Sequence, residues 1–512
     1  MPLAPLSPGP ADRHDRQHAV IRTIADVLRP ALANRPEAPA IIARSGTLSY
    51  AELDRAASQA AGAMWQAGIR PGDRVGACLP NDLDIVVAFH GAQRIGAIWV
   101  GINEGFSQPE QQALADLSAP SLILAGAQCR VQNRPVVDVD TWARRVAGAA
   151  PAPRVDLDPD APAGIAFTSG TTGVPKGIVH SQWNMLLPGR VLAETRNWGP
   201  DLRKGDCLAL TLLNMLILTT LLVAQAEGCC ILTDRRDVAG IAGWIARERV
   251  EVWNGVPAHF YDLARRPELD LSSLREAWCG GSACPEPLRQ AFTGTHPVPL
   301  RAAYGLTEAP TVVAIDPVGS TGLPGSGGQV LPHLDVAAYD EAGQRLPAGA
   351  TGELRLGPAA TGKWAGAWTP ALGEWRDGSV TATATVPFPT GDIGSVDADG
   401  WLRVVERKKL VIVRGGANVY PAEVEGVIRM HPAVAAAAVF AVPDERLGER
   451  VAALVQLRTH VDLSELESLC RQRLARYKVP EQWAAVDALP VNAMGKVIRA
   501  DLPGLLPQPE TR

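Results

Sequence analysis

The sequence predicts an α/β protein with a large N-terminal domain of two doubly wound α/β subdomains plus a distorted β-barrel, and a small α+β C-terminal domain. Helical stretches alternate with short apolar runs from residue 23 to 124, and a second such series runs from about 206 to 304. Residues 317–392 form a glycine- and proline-rich segment that contains short runs of alternating apolar and polar residues. The 512 residues exceed what one hydrophobic core usually supports, which favours several domains.

Individual elements follow from local patterns. Residues 49–68, SYAELDRAASQAAGAMWQAG, carry apolar side chains at helical spacing. Short apolar runs predict the buried strands of both series, namely RVGACLP, SLILAG, CCILTD, VEVWNGVP, LREAWCGG and LRAAYG. The runs LDVAAYD and GELRLG alternate between apolar and polar residues, which is typical of an antiparallel sheet or a distorted barrel.

The composition changes again after the run GWLRVVERKK, which ends at Lys409. Residues 410–512 alternate strand and helix and are long enough for a small domain. We therefore expect a flexible proline-rich lead-in over 1–20, an N-terminal domain over 21–407 and a C-terminal domain over 408–512.

One uncharged stretch, Cys207 to Ala226, is long enough to cross a bilayer. Asn214, several threonines and the absence of flanking Lys/Arg-rich loops argue against a span. We expect a buried core helix preceded by a strand, and no membrane span.

Charge and cysteine content narrow the classes of partner. The formal net charge is −5 and the basic residues are scattered along the sequence. This pattern argues against a basic surface patch that binds nucleic acid or an anionic membrane. The eight cysteines show no paired metal-ligand spacing and predict buried free thiols. The N-terminal residues lack the apolar region of a signal peptide. These features predict a cytoplasmic protein with a small-molecule partner.

The stretch FTSGTTGVPKGIVHS, residues 167–181, predicts a polyphosphate-binding loop. Glycines at 170, 173 and 177 let the backbone approach a ligand, hydroxyl groups add donors, and Lys176 adds a positive charge. The hydroxyl donors are Thr168, Ser169, Thr171 and Thr172. A Walker A loop requires a hydroxyl residue after the lysine, and Gly177 stands there instead, so the P-loop assignment fails.

This loop resembles the phosphate loop of the adenylate-forming superfamily, which includes acyl- and aryl-CoA ligases, adenylation domains of peptide synthetases and firefly-type luciferases. Further motifs follow in the family's order: GGSACPEPL from Gly280, YGLTEAP from Tyr304, TGELRLG from Thr351, TGDIG from Thr390, ERKKLVIVRGGANVYPAEVE from Glu406 and PVNAMGKV from Pro490. The resemblance extends from about residue 24 to 504 and is greatest to a stand-alone bacterial acid:CoA ligase or a related amide synthetase.

The resemblance implies a two-step reaction. A carboxylate attacks the α-phosphate of ATP to give an acyl-adenylate and pyrophosphate, and a nucleophile then takes the acyl group and releases AMP. It implies that Lys496 bridges the acid and the α-phosphate, that Thr307 touches the α-phosphate and that Glu308 is the Mg²⁺ ligand. The implied ATP-binding residues are Thr168, Ser169, Gly170, Thr171, Thr172, Gly173, Lys176, Gly280, Gly281, Ser282, Tyr304, Gly305, Asp392 and Arg407.

Within that set, Tyr304 is similar to the aromatic residue that stacks on adenine, and Asp392 and Arg407 to the pair that binds the ribose. Lys409 matches the hinge about which the family's C-terminal domain rotates, and Gly415 and Gly416 match the tunnel for the acceptor. The implied acid pocket comprises Asn214, Leu216, Trp253, Asn254, Ala303 and Ala309. These residues are uncharged, which favours an aliphatic or aromatic monocarboxylic acid over an amino acid.

The acceptor stays open at this point. Coenzyme A is the first alternative, an amine that makes the chain an amide synthetase is the second, and a carrier protein is a further one. Asn214 stands where many family members carry a histidine or aromatic residue beside the pantetheine tunnel, which keeps the amine alternative open. A further alternative is a non-catalytic nucleotide-binding protein. The joint presence of Lys496, Glu308, Asp392 and Arg407 argues against it. We expect a monomer or a homodimer.

Overall fold

The computed structural model describes residues 21–168, 175–382, 385–414, 417–444, 446–491 and 497–507. Backbone contacts divide the chain into two compact units. The first unit comprises Met1–Val336, Leu356–Phe388 and Asp399–Leu402, and the second comprises Ala337–Arg355, Pro389–Ala398 and Arg403–Arg512. The fold is mixed α/β, as the sequence predicts. The lead-in over 1–20 lies outside the described residues, and the boundary at residues 407 and 408 stays a prediction.

The described residues form helices and strands in the following order. The strands are β1 (Pro39–Ala43), β2 (Gly46–Ser49), β3 (Arg74–Cys78), β4 (Ile98–Gly101), β5 (Leu122–Ala125), β6 (Val136–Asp138), β7 (Pro162–Thr168), β8 (Lys176–Ser181), β9 (Arg203–Asp206), β10 (Cys229–Leu232), β11 (Val252–Gly255), β12 (Glu276–Cys279), β13 (Leu300–Gly305), β14 (Val312–Ile315), β15 (Gln329–Val330), β16 (Leu334–Tyr339), β17 (Gly352–Pro358), β18 (Gly373–Arg376), β19 (Ser379–Thr381), β20 (Phe388–Val396), β21 (Leu402–Arg407), β22 (Ile412–Arg414), β23 (Ala417–Val419), β24 (Val434–Asp444), β25 (Gly448–Leu457) and β26 (Gln482–Val486). The α-helices are α1 (Arg29–Asn34), α2 (Tyr50–Gln66), α3 (Leu83–Arg94), α4 (Gln108–Ser118), α5 (Val139–Ala147), α6 (Gln182–Thr195), α7 (Leu213–Met215), α8 (Leu222–Gln225), α9 (Val238–Glu248), α10 (Pro257–Ala264), α11 (Glu286–Thr295), α12 (Pro421–Ile428) and α13 (Leu463–Arg473).

An eight-stranded sheet of the first unit has the order β19-β18-β8-β7-β4-β3-β5-β6. Strands β3 to β7 pair in parallel, whereas β7 and β8 form an antiparallel pair. Helix α2 packs against α5 and begins with a capping box, in which the Ser49 hydroxyl accepts from the Glu52 amide at 3.2 Å and the Glu52 carboxylate accepts from the Ser49 amide at 2.8 Å. The apolar side of α2 packs on α3, as its helical periodicity predicts.

A nine-stranded sheet of the same unit has the order β15-β14-β13-β12-β11-β9-β10-β1-β2. Its members from β13 to β1 pair in parallel. Because the carboxyl ends of parallel strands meet at one edge of a sheet, the residues that follow β9, β11, β12 and β13 lie along a common edge.

The uncharged stretch after β9 is a core helix with an unusual turn. Helices α7 and α8 are joined by a π-helical segment, Leu216–Leu221, whose six residues are all buried. Among the described residues, none of the helices combines the length and apolar character needed to span a bilayer. The sequence prediction of a core helix preceded by a strand is therefore confirmed.

The strands from residue 312 to 407 are shared among three sheets. Strands β14 and β15 extend the nine-stranded sheet, β18 and β19 extend the eight-stranded sheet, and a four-stranded sheet has the order β16-β17-β20-β21. In the second unit, β23-β22-β25-β24 form a sheet that β26 joins in parallel with β25. Helices α12 and α13 supply Val424 and Leu466 to the core under this sheet. All eight cysteines are free, and six are buried.

Candidate active site

The predicted adenine and catalytic residues follow neighbouring parallel strands. Gly280, Gly281 and Ser282 come directly after β12, and the segment from Tyr304 to Glu308 ends and follows β13. Gly281 has a φ of +80°, in the left-handed region that favours glycine, so the chain turns there without a Cβ penalty. The Gly281 and Ser282 residues are exposed, which leaves this turn open to a ligand.

Gly305 lies where two segments approach closely. A Cβ at this position would lie 1.8 Å from the carbonyl oxygen of Thr311, so only glycine fits without movement of the backbone. The amide of Tyr304 donates to the carbonyl of Gly327 at 3.1 Å, which fixes the end of β13 beside this contact. The conformation of the loop that carries Thr307 and Glu308 therefore depends on a glycine at 305.

A histidine joins this loop to the phosphate-loop hairpin. His180 lies on β8 and is fully buried, and its Nε2 lies 2.8 Å from the backbone carbonyl oxygen of Thr307. Burial lowers the pKa of His180 to about 4, so the ring is neutral at pH 7. A carbonyl only accepts, so Nε2 carries the proton and donates.

The phosphate-loop hairpin is described at its two ends. Thr168 of β7 pairs with Lys176 of β8, so the loop between them connects two antiparallel strands. Lys176 Nζ lies 3.2 Å from Oε1 of Glu374, which stands on the neighbouring strand β18. The predicted donors Ser169, Gly170, Thr171, Thr172 and Gly173 lie outside the described residues.

In the second unit, the structure brings the predicted ribose pair together. The Nε of Arg407 lies 2.7 Å from Oδ1 of Asp392, and the Asp392 side chain is 3% exposed, so its charge is compensated by a neighbouring cation. Lys409 lies in a three-residue 3₁₀ turn, Lys408–Leu410. Gly415, Gly416 and Lys496 lie outside the described residues.

The predicted acid-pocket residues occupy different environments. Leu216 is the first residue of the buried π-helical segment, Ala309 is fully buried, and Asn214 and Ala303 are half-buried. Successive strand residues point to opposite faces of a sheet, so Trp253 and Asn254 of β11 diverge. Trp253 packs with Phe260 and other apolar side chains in the hydrophobic core, whereas Asn254 is hydrogen-bonded to Asp206.

Asn254 belongs to a buried polar cluster that sequence reasoning missed. Its Nδ2 lies 2.7 Å from Oδ2 of Asp206 at the end of β9, and Lys204 lies two residues earlier on the same face. Two charged residues at alternate positions of a short strand, in the run RKGDC, were the available signal. His180 was also missed, although it stands in the quoted phosphate-loop stretch.

The part of the chain that the structure describes contains no group of three or more His, Cys, Asp or Glu side chains arranged for a metal ion. Magnesium is commonly held by one or two carboxylates and by substrate phosphates rather than by an all-protein cage. A single carboxylate, Glu308, next to the Thr307 carbonyl that His180 holds, therefore fits a Mg²⁺ ion that arrives with a nucleotide.

The fold, and the edge of the sheet that carries the motifs, are those of a ligase that uses a nucleotide to activate its substrate. Residues 28–362 match the family described as AMP-binding enzyme, and residues 423–496 match the AMP-binding enzyme C-terminal domain. The chain belongs to this family of adenylate-forming enzymes, and it is an AMP-forming acid ligase.

Named relatives and solved structures agree with that membership. A feruloyl-CoA synthase of Amycolatopsis sp is 33% identical over 497 residues, covering 91% of this chain and 96% of that protein. A long-chain-fatty-acid–CoA ligase of Mycobacterium tuberculosis is 31% identical over 482 residues, covering 89% of this chain and 92% of that protein. ATP-bound MatB from Rhodopseudomonas palustris aligns with a TM-score of 0.84 at 26% identity, covering 93% of this chain and 98% of that one. MenE, the o-succinylbenzoate CoA synthetase from Bacillus subtilis, in complex with its acyl-adenylate intermediate aligns with a TM-score of 0.81 at 26% identity, covering 93% and 97%.

Proposed function

We propose that the enzyme activates an aliphatic or aromatic monocarboxylic acid with ATP and transfers the acyl group to coenzyme A. In the first step a carboxylate oxygen forms a bond to the α-phosphorus, and the bond from that phosphorus to pyrophosphate breaks. In the second step the sulfur of the thiol forms a bond to the acyl carbon, AMP leaves, and the thiol proton goes to solvent. The products are acyl-CoA, AMP and pyrophosphate.

The observation that carries the proposal is the contact between His180 and the Thr307 carbonyl. It joins the strand that leaves the phosphate loop to the loop that holds Thr307 and Glu308. His180, Thr307 and Glu308 belong to the same compact unit, and the loop of Thr307 and Glu308 follows β13 at the sheet edge where α/β folds bind ligands, which supports the assignment of phosphate binding to this region.

The first step brings two anions together, so it requires fixed positive charge and aligned donors at the α-phosphate. We assign that charge to Lys496 and a hydroxyl donor to Thr307. Glu308 is the proposed ligand of Mg²⁺, which when bound neutralises phosphate charge. Lys176 and the hydroxyl groups of the phosphate loop, with Thr168 at its described end, bind the remaining phosphates.

The nucleoside end of ATP is assigned to two further groups. Tyr304 stacks on adenine, with Gly280, Gly281 and Ser282 on the other face of the base. Asp392 accepts from the ribose hydroxyls, and its contact with Arg407 at 2.7 Å supports this because it brings together the two residues assigned to the ribose.

Coenzyme A is proposed as the acceptor because the two named relatives are CoA ligases, and each of them matches this chain over most of its length. Gly415 and Gly416 are assigned to the acceptor tunnel, and Lys409 to the hinge. A second candidate, an amine acceptor, is favoured by one observation. Asn214 stands at the position of the thioester gate and its Oδ1 is buried without a hydrogen-bond partner among the described residues.

A product analysis tests the proposal. The purified protein is given ATP, Mg²⁺ and a broad set of aliphatic and aromatic acids, with coenzyme A in one arm and simple primary amines in the other. Products are identified by mass. Acyl-CoA in the first arm supports the proposal, and an amide in the second with no acyl-CoA in the first replaces it by the second candidate. If no acid gives acyl-AMP, acyl-CoA or amide, both are wrong.

A further inference from the structure

Two charged side chains of β9 are buried in the first unit. Lys204 and Asp206 are two residues apart, so both project from the same face of the nine-stranded sheet. Both residues are fully buried. Lys204 Nζ lies 5.6 Å from the ring centre of Trp278 and has no hydrogen-bond partner among the described residues. Buried charges are costly unless they are paired, so these two require a reason to be there.

Asp206 accepts three hydrogen bonds with its two oxygens. The amide of Leu208 donates to Oδ1 at 2.8 Å, and the hydroxyl of Thr219 and the Nδ2 of Asn254 donate to Oδ2 at 2.8 and 2.7 Å. Burial raises the pKa of Asp206, while the charge of Lys204 and these donors act in the opposite direction. The three donors fix the orientation of the Asp206 carboxyl group.

This carboxylate determines how the Asn254 amide is oriented. The NH₂ group of Asn254 donates to Oδ2 of Asp206 at 2.7 Å, so the amide oxygen of Asn254 points elsewhere. That oxygen, Oδ1, is shielded from solvent and has no partner among the described residues. Asn254 as a whole is only 5% exposed. A buried acceptor without a donor is unfavourable, so this oxygen requires a donor from outside the described residues.

Asn254 stands at the ligand-binding edge of the sheet. It is the last residue but one of β11, opposite Trp278 of β12, and the next pair along the two strands is Gly255 and Cys279. Gly280, the first residue of the proposed adenine turn, follows directly. The unpaired oxygen therefore lies near the strand ends where the acid is proposed to bind.

We propose that Asn254, positioned by Asp206 and Lys204, accepts a hydrogen bond from a hydroxyl group of the substrate, so that the enzyme selects hydroxy-substituted carboxylic acids over the same acids without the hydroxyl. This inference rests on the proposed function, since it names the substrate class of the same site. A site that pairs a buried polar group with a substrate hydroxyl rejects the analogue that lacks it, because the protein group is then left unpaired. Asn254 sets the specificity, and Asp206 and Lys204 are positioning residues.

Matched pairs of acids test the inference on the full-length enzyme. Each pair differs by one hydroxyl, for example 4-hydroxycinnamate and cinnamate, 4-hydroxybenzoate and benzoate, and a 3-hydroxyalkanoate and its alkanoate. The readout is kcat/KM for acid-dependent pyrophosphate release. We expect the wild type to prefer the hydroxylated member of at least one pair by about tenfold or more. Equal kcat/KM values in every pair that reacts would overturn the inference and leave the proposed function intact.

Substitutions distinguish the role of Asn254, the proposed hydrogen-bond acceptor, from the roles of the two residues that position it. Asn254→Leu should lower kcat/KM for the hydroxylated acid about tenfold or more. The kcat/KM for the acid of the same pair that lacks the hydroxyl should stay unchanged, so that the preference disappears. Asp206→Asn and Lys204→Met should reduce the preference ratio, whereas a merely structural defect would lower both members equally. An unchanged ratio in Asn254→Leu, or in Asp206→Asn if the first variant does not fold, contradicts the inference.

Asn184 is the matched control, because it is also buried but both ends of its amide are paired. Its Nδ2 donates to the carbonyl of Pro370 at 2.9 Å, and its Oδ1 accepts from Thr369 at 2.7 Å. Asn184→Leu should lower stability and leave the preference ratio unchanged. If no acid of any pair releases pyrophosphate with the wild type, the proposed function itself has failed.

Discussion

His180 donates from Nε2 to the carbonyl oxygen of Thr307 at 2.8 Å, across 127 residues of sequence. The ring is fully buried, and its Nδ1 has no partner among the described residues, so this contact is the polar interaction that the structure assigns to the side chain. The loop of Thr307 and Glu308 is thus held from the side of the phosphate-loop hairpin. We infer that His180 positions the proposed catalytic loop.

The first prediction concerns His180 itself. His180→Ala removes the donor and should lower kcat/KM for acid-dependent pyrophosphate release about ten- to a hundredfold, because small displacements of positioned groups cost rates of this order. His180→Gln keeps an N–H donor and should recover part of the loss. His90→Ala is the control, because His90 is also a buried histidine but lies on α3. Equal activity losses in His90→Ala and His180→Ala would reduce the role of His180 to packing.

The second prediction concerns the close approach at Gly305. Gly305→Ala places a Cβ 1.8 Å from the Thr311 carbonyl oxygen, so the backbone beside Thr307 must move and adenylation should fall at least about tenfold. Gly294→Ala is the matched control, since a Cβ there meets no atom within 4 Å and alanine favours the helix α11 that contains it. The control should be equally or more stable and fully active. A fully active Gly305→Ala enzyme would contradict the structure of this loop.

The third prediction concerns the ion pair between Lys176 and Glu374, whose Nζ and Oε1 lie 3.2 Å apart. If Lys176 binds phosphate, it must give up part of this pair, so Glu374→Gln should lower the KM for ATP. Exposed ion pairs are worth about 0.2–1 kcal/mol, which corresponds to a change of roughly fivefold or less. Steady-state kinetics with varied ATP measure it.

The control for that prediction is another exposed pair of the first unit. Lys363 Nζ and Glu194 Oε2 lie 2.5 Å apart, and neither belongs to the phosphate-loop hairpin. Glu194→Gln should leave the KM for ATP unchanged. A raised KM in Glu374→Gln would indicate that the carboxylate assists nucleotide binding instead of competing with it.

The fourth prediction concerns acid stability. Burial lowers the pKa of His333 to about 3, and both ring nitrogens lack partners among the described residues. Below the ordinary histidine pKa of about 6.5, the unfolded chain binds a proton at this residue and the folded chain does not. The stability present above pH 6.5 is therefore lost progressively as the pH falls toward 3. Burial lowers the pKa of His90 and His180 in the same sense.

His333→Leu removes this proton linkage and nearly conserves volume. Its free energy of unfolding should fall less between pH 7 and pH 4.5 than that of the wild type, by roughly 2.5 kcal/mol at 1.36 kcal/mol per pKa unit. Chemical denaturation at the two pH values measures the difference. Parallel losses in the two proteins would show that His333 takes up a proton in the folded state.

Much of the first unit could be predicted from sequence because its signals are local. Helix α2 follows from apolar spacing and its Ser49 cap, and the buried strands β11 and β12 follow from apolar runs. The core helix after β9 follows from the absence of charge, although the π-helical turn inside it has no signal in the composition. The resemblance implies that Asp392 and Arg407 act as a pair, and the structure, which places them on β20 and β21, brings them to 2.7 Å.

What could not be predicted depends on pairing between distant segments. The pairing of β18 with β8, which puts Glu374 beside Lys176, joins residues 198 positions apart. Periodicity shows that Trp253 and Asn254 face opposite sides but not which side faces the core. The cluster of Lys204, Asp206 and Asn254 required the register of β9 and β11, because charged residues are rarely fully buried.

The central claim is that an organic acid is joined to AMP, with Lys496 supplying charge at the reacting phosphate. Acid-dependent exchange of labelled pyrophosphate into ATP measures that step alone, without any acceptor. We predict exchange that requires an acid in the wild type, and a rate lower by at least about a hundredfold in Lys496→Ala. Absence of exchange in the wild type across a broad set of acids, or near wild-type exchange in Lys496→Ala, would contradict the claim.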